Sequence, residues 1–145
     1  MPRPPMSGPP IGMLLSRVAK TVSRAFDDAL AEAGGSRPAW LILIALKSGE
    51  AGANQRRLAE AVGIQGATLT HHLNSMEAEG LVTRRRDPGN RRSHVVELTE
   101  AGESAFHRMR SAAVSFDRRL REGLSDEDLK GLERVLVQMR DNVAG

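Results

Sequence analysis

The sequence contains no cysteine and no tyrosine, and its aromatic residues are limited to three phenylalanines and one tryptophan. The absence of cysteine excludes disulfides, thiolate metal sites and catalysis or redox switching by a thiol. So few aromatic rings leave almost no material for a surface that stacks the bases of single-stranded nucleic acid. The composition therefore excludes several classes of function before any motif is considered.

Long apolar runs are also missing. The longest one, residues 39–46, has eight residues, whereas a membrane span needs about 20. The apolar stretch Ile11–Leu15 is too short for a signal peptide, and Arg17 and Lys20 follow it directly. We therefore expect a cytoplasmic protein without a membrane partner.

The charge of the chain is concentrated in one segment. The formal net charge of the 145 residues is +3, and residues 54–94 alone hold seven arginines against four acidic residues. Of the 21 basic residues in the whole chain, 18 are arginine, whose planar fork suits bidentate contacts to phosphate or guanine. This distribution indicates an anionic partner for the centre of the chain.

The spacing of apolar residues at steps of three and four predicts a mainly helical chain. The predicted helices cover residues 11–33, 37–48, 55–62, 66–79, 99–121 and, capped by Ser125 and Asp128, the stretch that ends at 143. After Gly80 the period changes to two, which predicts a hairpin of residues 81–86 with 93–98 and a long basic tip. Residues 1–10 hold five of the seven prolines and are expected to form a disordered tail.

Two short helices that meet at Gly63, followed by a hairpin, have the order of a winged helix-turn-helix. The second of these helices begins with Gln65, Gly66, Ala67 and Thr68, which are small or polar where a helix must approach base edges closely. The alternative is an ordinary helical domain with one charged loop. The order of the elements and the local excess of charge disfavour that alternative.

The residues of the hairpin carry a family resemblance. GLVTRRRDPGNRR at residues 80–92, followed by VVELTEAG at 95–102, resembles the wing signature of the MarR family of bacterial transcription regulators. The similarity extends over nearly the whole chain from Ile11 onward. It implies a mainly α fold with a small β-hairpin, of the α+β type.

The resemblance also implies how the chain is divided. A single domain of residues 11–145 would consist of a winged helix-turn-helix lobe, about 37–98, and dimerisation helices, about 11–33 and 99–143. The protein would be a homodimer that binds a pseudo-palindromic operator in double-stranded DNA, and in many family members a small aromatic or phenolic anion releases the DNA. The residues expected to contact DNA are Gln65, Gly66, Ala67, Thr68, Thr70, His71, Arg84, Arg85, Arg86, Asn90, Arg91 and Arg92.

Two positions depart from the family pattern. Asn90 stands where an acidic residue often steadies the arginine at Arg92, which in similar proteins enters the minor groove. His71 and His72 stand where many members have an arginine followed by an apolar residue. Adjacent helical residues point about 100° apart, so these histidines are poorly placed to share a metal ion, and we expect no metal site and a DNA contact by His71.

Two residues are candidates for contact with an effector. Arg17 lies beside the apolar stripe of the first helix and is either a solvated charge, which we favour, or the cation that meets an acidic effector. Trp40 lies in an almost entirely apolar helix and is either a core residue, which we favour, or part of a ligand pocket.

The sequence thus indicates a sequence-specific regulator of transcription, most simply a ligand-responsive repressor. A structural DNA-binding protein without sequence preference is the second hypothesis. An enzyme is disfavoured because the sequence has no glycine-rich phosphate loop, no metal-spaced histidine cluster and no Ser-His-Asp arrangement. We therefore expect no cofactor.

Overall fold

The structure is a computed structural model that describes residues 8–49 and 54–145, with only the backbone described at residues 90–93. The elements in these ranges are α1 (Ile11–Glu32), α2 (Arg37–Ser48), α3 (Gln55–Val62), α4 (Gly66–Ala78), β1 (Val82–Asp87), β2 (Asn90–Leu98), α5 (Glu100–Leu120) and α6 (Asp126–Val143). Their order and type confirm the predicted fold class. Of the predicted disordered tail, residues 1–7 lie outside the described residues.

The ends of the helices follow local sequence rules. Ser36 begins α2, since its Oγ accepts a hydrogen bond from the backbone N–H of Ala39 at 3.3 Å. Ser125 and Asp128 form the predicted reciprocal capping box of α6, with both hydrogen bonds at 3.0 Å. Gly63 ends α3 with a φ of 77°, a left-handed conformation that favours glycine. This glycine makes the tight turn between α3 and α4.

The hydrophobic core lies where α2, α3, α4 and the base of the hairpin meet the end of α1 and the first part of α5. Its largest fully buried side chains are Leu30, Ile42, Leu43, Leu58, Leu69, Leu73, Val82, Val96 and Met109. Trp40 packs against this core and stacks on Phe106, with 5.6 Å between the ring centroids. The same core therefore holds both α4 and the base of the hairpin.

The hairpin is longer, and its turn tighter, than predicted. The strands β1 and β2 pair antiparallel in regular register from Val82 opposite Leu98 to Arg86 opposite His94. The register then shifts, and Asp87 lies opposite Asn90. The Asp87 Oδ1 accepts a hydrogen bond from the Gly89 N–H at 2.9 Å, which closes the turn. Of the five arginines expected in a long tip, Arg84, Arg85 and Arg86 therefore lie in the regular ladder, and Arg91 and Arg92 lie where the register shifts.

The chain divides into two compact units, residues 1–114 and 115–145. In the second unit, every residue of α6 is described and none is buried; Leu132 is 50% exposed. In the first unit, the first two turns of α1 likewise expose Ile11 and Val18, at 60% and 51%. The predicted division into a DNA-binding lobe and dimerisation helices stays a prediction.

Two further features are absent from the residues that the structure describes. No helix there combines the length and apolarity that a bilayer span requires. No group of three or more His, Asp or Glu side chains there is arranged to hold a metal ion. His71 and His72, whose ring centroids are 5.6 Å apart, belong to no such group.

Candidate nucleic-acid interface

The N-terminal turn of α4 is exposed and built from small residues. Gln65 is the N-cap residue with an extended backbone, and its side chain makes no capping hydrogen bond. The next three residues, Gly66, Ala67 and Thr68, are all exposed. No acidic residue lies in this turn to offset the positive end of the helix dipole. The Gln65 side chain and the free N–H groups of the turn are thus available to an anion or a base edge.

Thr70 lies one turn further along α4 and is half-buried. Its hydroxyl accepts a hydrogen bond from Gln55 Nε2 at 2.8 Å and donates one to the Gly66 carbonyl oxygen at 2.9 Å. Since the one hydroxyl proton is already donated within the helix, Thr70 has no donor left for a base. Its predicted role as a DNA contact stays a prediction. To donate to a base, the Thr70 hydroxyl would have to give up its hydrogen bond to the Gly66 carbonyl oxygen.

An open groove of about 540 Å³ separates α3 from the start of α4. Arg56, Gln65 and Gly66 are among the residues that line it. Arg56 and Arg57 are both exposed on α3, and the side chain of Asn54 caps this helix by accepting from their N–H groups at 2.9 and 3.2 Å. Arg56 thus lies beside the exposed turn of α4, although Glu60 lines the same groove and offsets its charge.

The side chains on one face of β1 become more exposed toward the turn of the hairpin. Val82, Arg84 and Arg86 alternate on one face of β1, and Val82 is buried in the core. Arg84 comes next, half-buried and beyond the apolar core, and Arg86 is exposed further toward the turn. Arg84 and Arg86, on the same face of β1, thus differ in burial.

Arg84 contacts the recognition helix of the helix-turn-helix, α4. Its Nη2 donates to Asn74 Oδ1 at 2.5 Å and to Glu77 Oε1 at 3.1 Å, and its Nε lies 3.4 Å from Glu77 Oε2. The hydrogen bond from Arg84 holds the pKa of the Glu77 carboxyl below its ordinary value. Glu77 therefore stays ionised at neutral pH and balances the charge of Arg84.

Arg85 and Arg86 are more accessible. Arg85 pairs across the hairpin with Glu97 at 2.9 Å, and the two side chains are 59% and 51% exposed. Ion pairs this exposed contribute little to stability, and a phosphate group can replace the carboxylate. Within the described residues Arg86 forms no ion pair with a carboxylate. Of the hairpin arginines with described side chains, Arg85 and Arg86 are thus the two whose guanidinium groups are accessible to an anionic partner.

The hairpin of β1 and β2 is the wing implied by the family resemblance. The remaining DNA contacts predicted in this wing are Asn90, Arg91 and Arg92. Their backbone belongs to β2: Asn90 lies opposite Asp87, and Arg91 and Arg92 lie where the register of the hairpin shifts. Their side chains lie outside the described residues, so their predicted DNA contacts stay predictions.

The two histidines of α4 differ in burial. His71 is exposed, whereas His72 is half-buried. His72 lines a small cavity of about 160 Å³ between the turn that joins α1 to α2, the second half of α4 and α5. The residues that line this cavity are Gly34, Gly35, Ser36, Ala39, His72, Ser75, Met76, Glu79, Leu81 and Met109.

The two predicted effector residues, Arg17 and Trp40, do not line this cavity. Arg17 lies on the exposed first half of α1. Trp40 is half-buried and packs on Phe106, which is the environment of a core residue. A ligand role for either residue stays a prediction.

Three residues at this site have roles that sequence reasoning missed. They are Gln55, which binds Thr70, and Asn74 and Glu77, which bind Arg84. Asn74 and Glu77 are three residues apart, a spacing that puts both on one face of a helix. In β1, Val82 and Arg84 are two residues apart and therefore share the face that meets the core. These two spacings were the signal from which the contact with Arg84 could have been predicted.

Comparisons with known proteins agree with this architecture. A family model described as the MarR family matches residues 33–93. YdgJ, an uncharacterised HTH-type transcriptional regulator of Bacillus subtilis, is 32% identical over 90 residues. That match spans 62% of this chain and only 55% of YdgJ.

One similar solved structure is a transcriptional regulator of the MarR family from Rhodococcus sp. RHA1, with 30% identity, a TM-score of 0.69 and coverage of 92% of this chain and 89% of that one. Two others are of CouR. One is the transcriptional repressor CouR bound to a 23-mer DNA duplex, with 27% identity, a TM-score of 0.78 and coverage of 90% of this chain and 92% of that one. The other is CouR from Rhodococcus jostii RHA1 bound to p-coumaroyl-CoA, with 30% identity, a TM-score of 0.67 and coverage of 92% and 88%.

Proposed function

The chain belongs to the MarR family of transcriptional regulators, and from this premise we propose that it is a homodimeric repressor of a pseudo-palindromic DNA operator. The observation that carries the proposal is the exposed first turn of α4, with an uncommitted Gln65 side chain, on the same core as a basic hairpin. The turn enters the major groove, and the hairpin follows the backbone into the neighbouring minor groove.

The recognition helix supplies sequence readout. Gln65 reaches a base edge with both its amide donor and its carbonyl acceptor, which is the geometry that selects adenine. Gly66 and Ala67 allow the helix to approach the floor of the groove because they have little or no side chain. His71, exposed on the next turn, adds a contact to a base or a phosphate.

The wing supplies affinity. Arg85 and Arg86 contact phosphates, and the release of counterions from the DNA makes that contribution depend on salt. Arg91 adds a further phosphate contact. Arg92 enters the minor groove, where narrow A·T-rich stretches concentrate negative potential.

A second copy of the chain covers the exposed apolar faces. In α1, Ile11, Leu14 and Val18 are 60%, 48% and 51% exposed. In α6, Leu132 and Leu136 are 50% and 38% exposed, at a spacing typical of a helix that packs on another helix. Since exposed apolar area on this scale marks an interface, we infer that both faces lie in the dimer interface, which places two recognition helices on one duplex.

An effector is the second part of the proposal. CouR has been solved both with DNA and with p-coumaroyl-CoA, and we propose that a small aromatic anion plays the corresponding role here. The cavity beside His72 is about 160 Å³, close to the roughly 150 Å³ that holds one benzene ring. Because α4 forms one wall, a bound ring would contact the recognition helix, and a ligand larger than the cavity would displace that helix. The place of action is the cytoplasm, and no step requires a cofactor or enzymatic turnover.

Replacement of Gln65 by alanine tests the proposed readout. Gln65→Ala is expected to lower the discrimination between the operator and single-base variants of it by about 1–3 kcal/mol, because one good base contact is lost. The measurement is equilibrium binding to the operator and to each variant at one fixed salt concentration. Gln138→Ala, the same substitution at an exposed position of α6, should leave discrimination unchanged.

The contrasting result would be a uniform effect. If Gln65→Ala weakened binding to every duplex equally, Gln65 would be a phosphate contact, and the hypothesis of a DNA-binding protein without sequence preference would gain support.

A further inference from the structure

Arg84 differs from its neighbours in β1 by its burial. Its side chain is 17% exposed, whereas that of Arg85 is 59% exposed. A phosphate contact has to present its guanidinium to the solvent side of the protein. The low exposure of Arg84 shows that its side chain is covered by neighbouring residues of the protein.

The hydrogen bonds of Arg84 show where it is directed. Two of its nitrogens approach the two carboxylate oxygens of Glu77, at 3.1 and 3.4 Å, and Nη2 also donates to Asn74 Oδ1 at 2.5 Å. Both partners lie on the last two turns of α4. Within the described residues, Arg84 is the one hairpin side chain that forms a hydrogen bond to α4.

The charge of Arg84 is balanced by the same contact. Glu77 is ionised beside it, so the pair has no net charge to offer to a phosphate. A phosphate would have to displace both a carboxylate and an amide oxygen from one guanidinium. The cost of leaving Glu77 unpaired next to DNA, itself an anion, opposes that exchange.

We propose that Arg84 is a positioning residue that fixes the wing to the recognition helix, and that it is not a phosphate contact. The inference rests on the proposed DNA binding and replaces the DNA contact predicted for Arg84 from the sequence. The apolar core joins the base of the hairpin to α4, and Arg84 extends that connection outward toward the turn. Wing and recognition helix then meet the DNA already aligned, so that less ordering has to occur on binding.

The salt dependence of binding separates the two roles. On a duplex enriched from a random pool, Arg86→Ala should reduce the slope of log K against log salt by about one, since a phosphate contact is lost. Arg84→Ala should leave that slope unchanged and weaken binding about tenfold at every salt concentration. Arg84→Lys should behave like Arg84→Ala, because an ammonium group has its donors on one nitrogen and lacks the planar fork that binds both oxygens of the Glu77 carboxylate.

The acidic partner gives an independent test with an opposite sign. If Arg84 contacted phosphate, Glu77→Ala would release it and tighten binding. If Arg84 positions the wing, Glu77→Ala should instead bind several-fold more weakly than Glu79→Ala, which removes the same charge from an exposed position two residues away. The double variant Arg84→Ala/Glu77→Ala should be no weaker than Arg84→Ala alone.

Amide hydrogen exchange completes the experiment without DNA. Exchange in Val82–Asp87 should be faster in Arg84→Ala than in wild type and unchanged in Arg86→Ala. A loss of one slope unit in Arg84→Ala, or unchanged exchange in that variant, would overturn the proposal. If wild type showed no salt-dependent binding to any duplex, the proposed function would fail, and the exchange data would still decide the role of Arg84.

Discussion

Leu132→Glu is expected to convert the protein from a dimer to a monomer and to lower its affinity for the operator roughly 100-fold. Leu132 is 50% exposed in the single chain, so the substitution leaves the fold of one subunit intact. In the dimer the added carboxylate would be buried against an apolar partner surface, at a cost of several kcal/mol. A monomer keeps one recognition helix and loses the gain of about 10²–10⁴ that two linked contacts provide.

Sedimentation velocity at micromolar concentration gives the mass, and titration of the operator gives the affinity. Gln138→Glu is the matched control: it adds the same charge to α6 at an exposed polar position and should remain dimeric. A Leu132→Glu variant that remained dimeric and bound DNA like wild type would remove α6 from the interface.

Gly102→Ala is expected to destabilise the subunit by about 2–3 kcal/mol, because an added methyl group has no space. A Cβ at this position of α5 would collide with the Leu81 carbonyl oxygen and lie 3.0 Å from Leu98 Cδ2. The carbonyl cannot move aside freely, since it accepts a hydrogen bond from the Thr99 N–H at 3.1 Å. The hydroxyl group of Thr99 also forms two hydrogen bonds: it donates to the Gly80 carbonyl oxygen and accepts from the Gly102 N–H at 3.0 Å.

Urea unfolding at one fixed protein concentration measures this effect as a lower midpoint at unchanged m. Gly66→Ala is the control, because nothing lies within 4 Å of a methyl group added there; its midpoint should match or slightly exceed that of wild type. Equal midpoints for Gly102→Ala and wild type would show that the junction of α4, β1 and α5 is looser than described.

The element pattern could be predicted closely because it depends on short-range signals. Gly63, Ser125 and Asp128 fixed helix ends through their own backbone and side-chain chemistry, and apolar spacing placed α2 and α3 at their observed residues. The hairpin turn was placed less well. Five arginines made the segment look like a solvated tip, yet Arg84, Arg85 and Arg86 lie in the regular ladder, and Asp87 still pairs with Asn90 after a shift of register.

The environments of the site residues could not be predicted from the sequence in the same way. Arg84, Arg85 and Arg86 are identical in type and consecutive, and only the pairing of β1 with the core and α4 distinguishes them. The hydrogen bond between Thr70 and Gln55, fifteen residues away, likewise depends on how α3 packs against α4. Tertiary contacts, and not local propensity, decide which polar groups remain free for DNA.

Selection of bound sequences from a random duplex pool by the wild-type chain, at a physiological ionic strength of about 0.15 M, tests the central claim most directly. The homodimer should enrich a pseudo-palindrome whose half-sites are one helical turn, about 10 base pairs, apart. Binding to it should be at least ~10³-fold tighter than to a scrambled duplex of equal length. A folded, dimeric protein that enriched no sequence and bound every duplex with equal affinity would contradict the account.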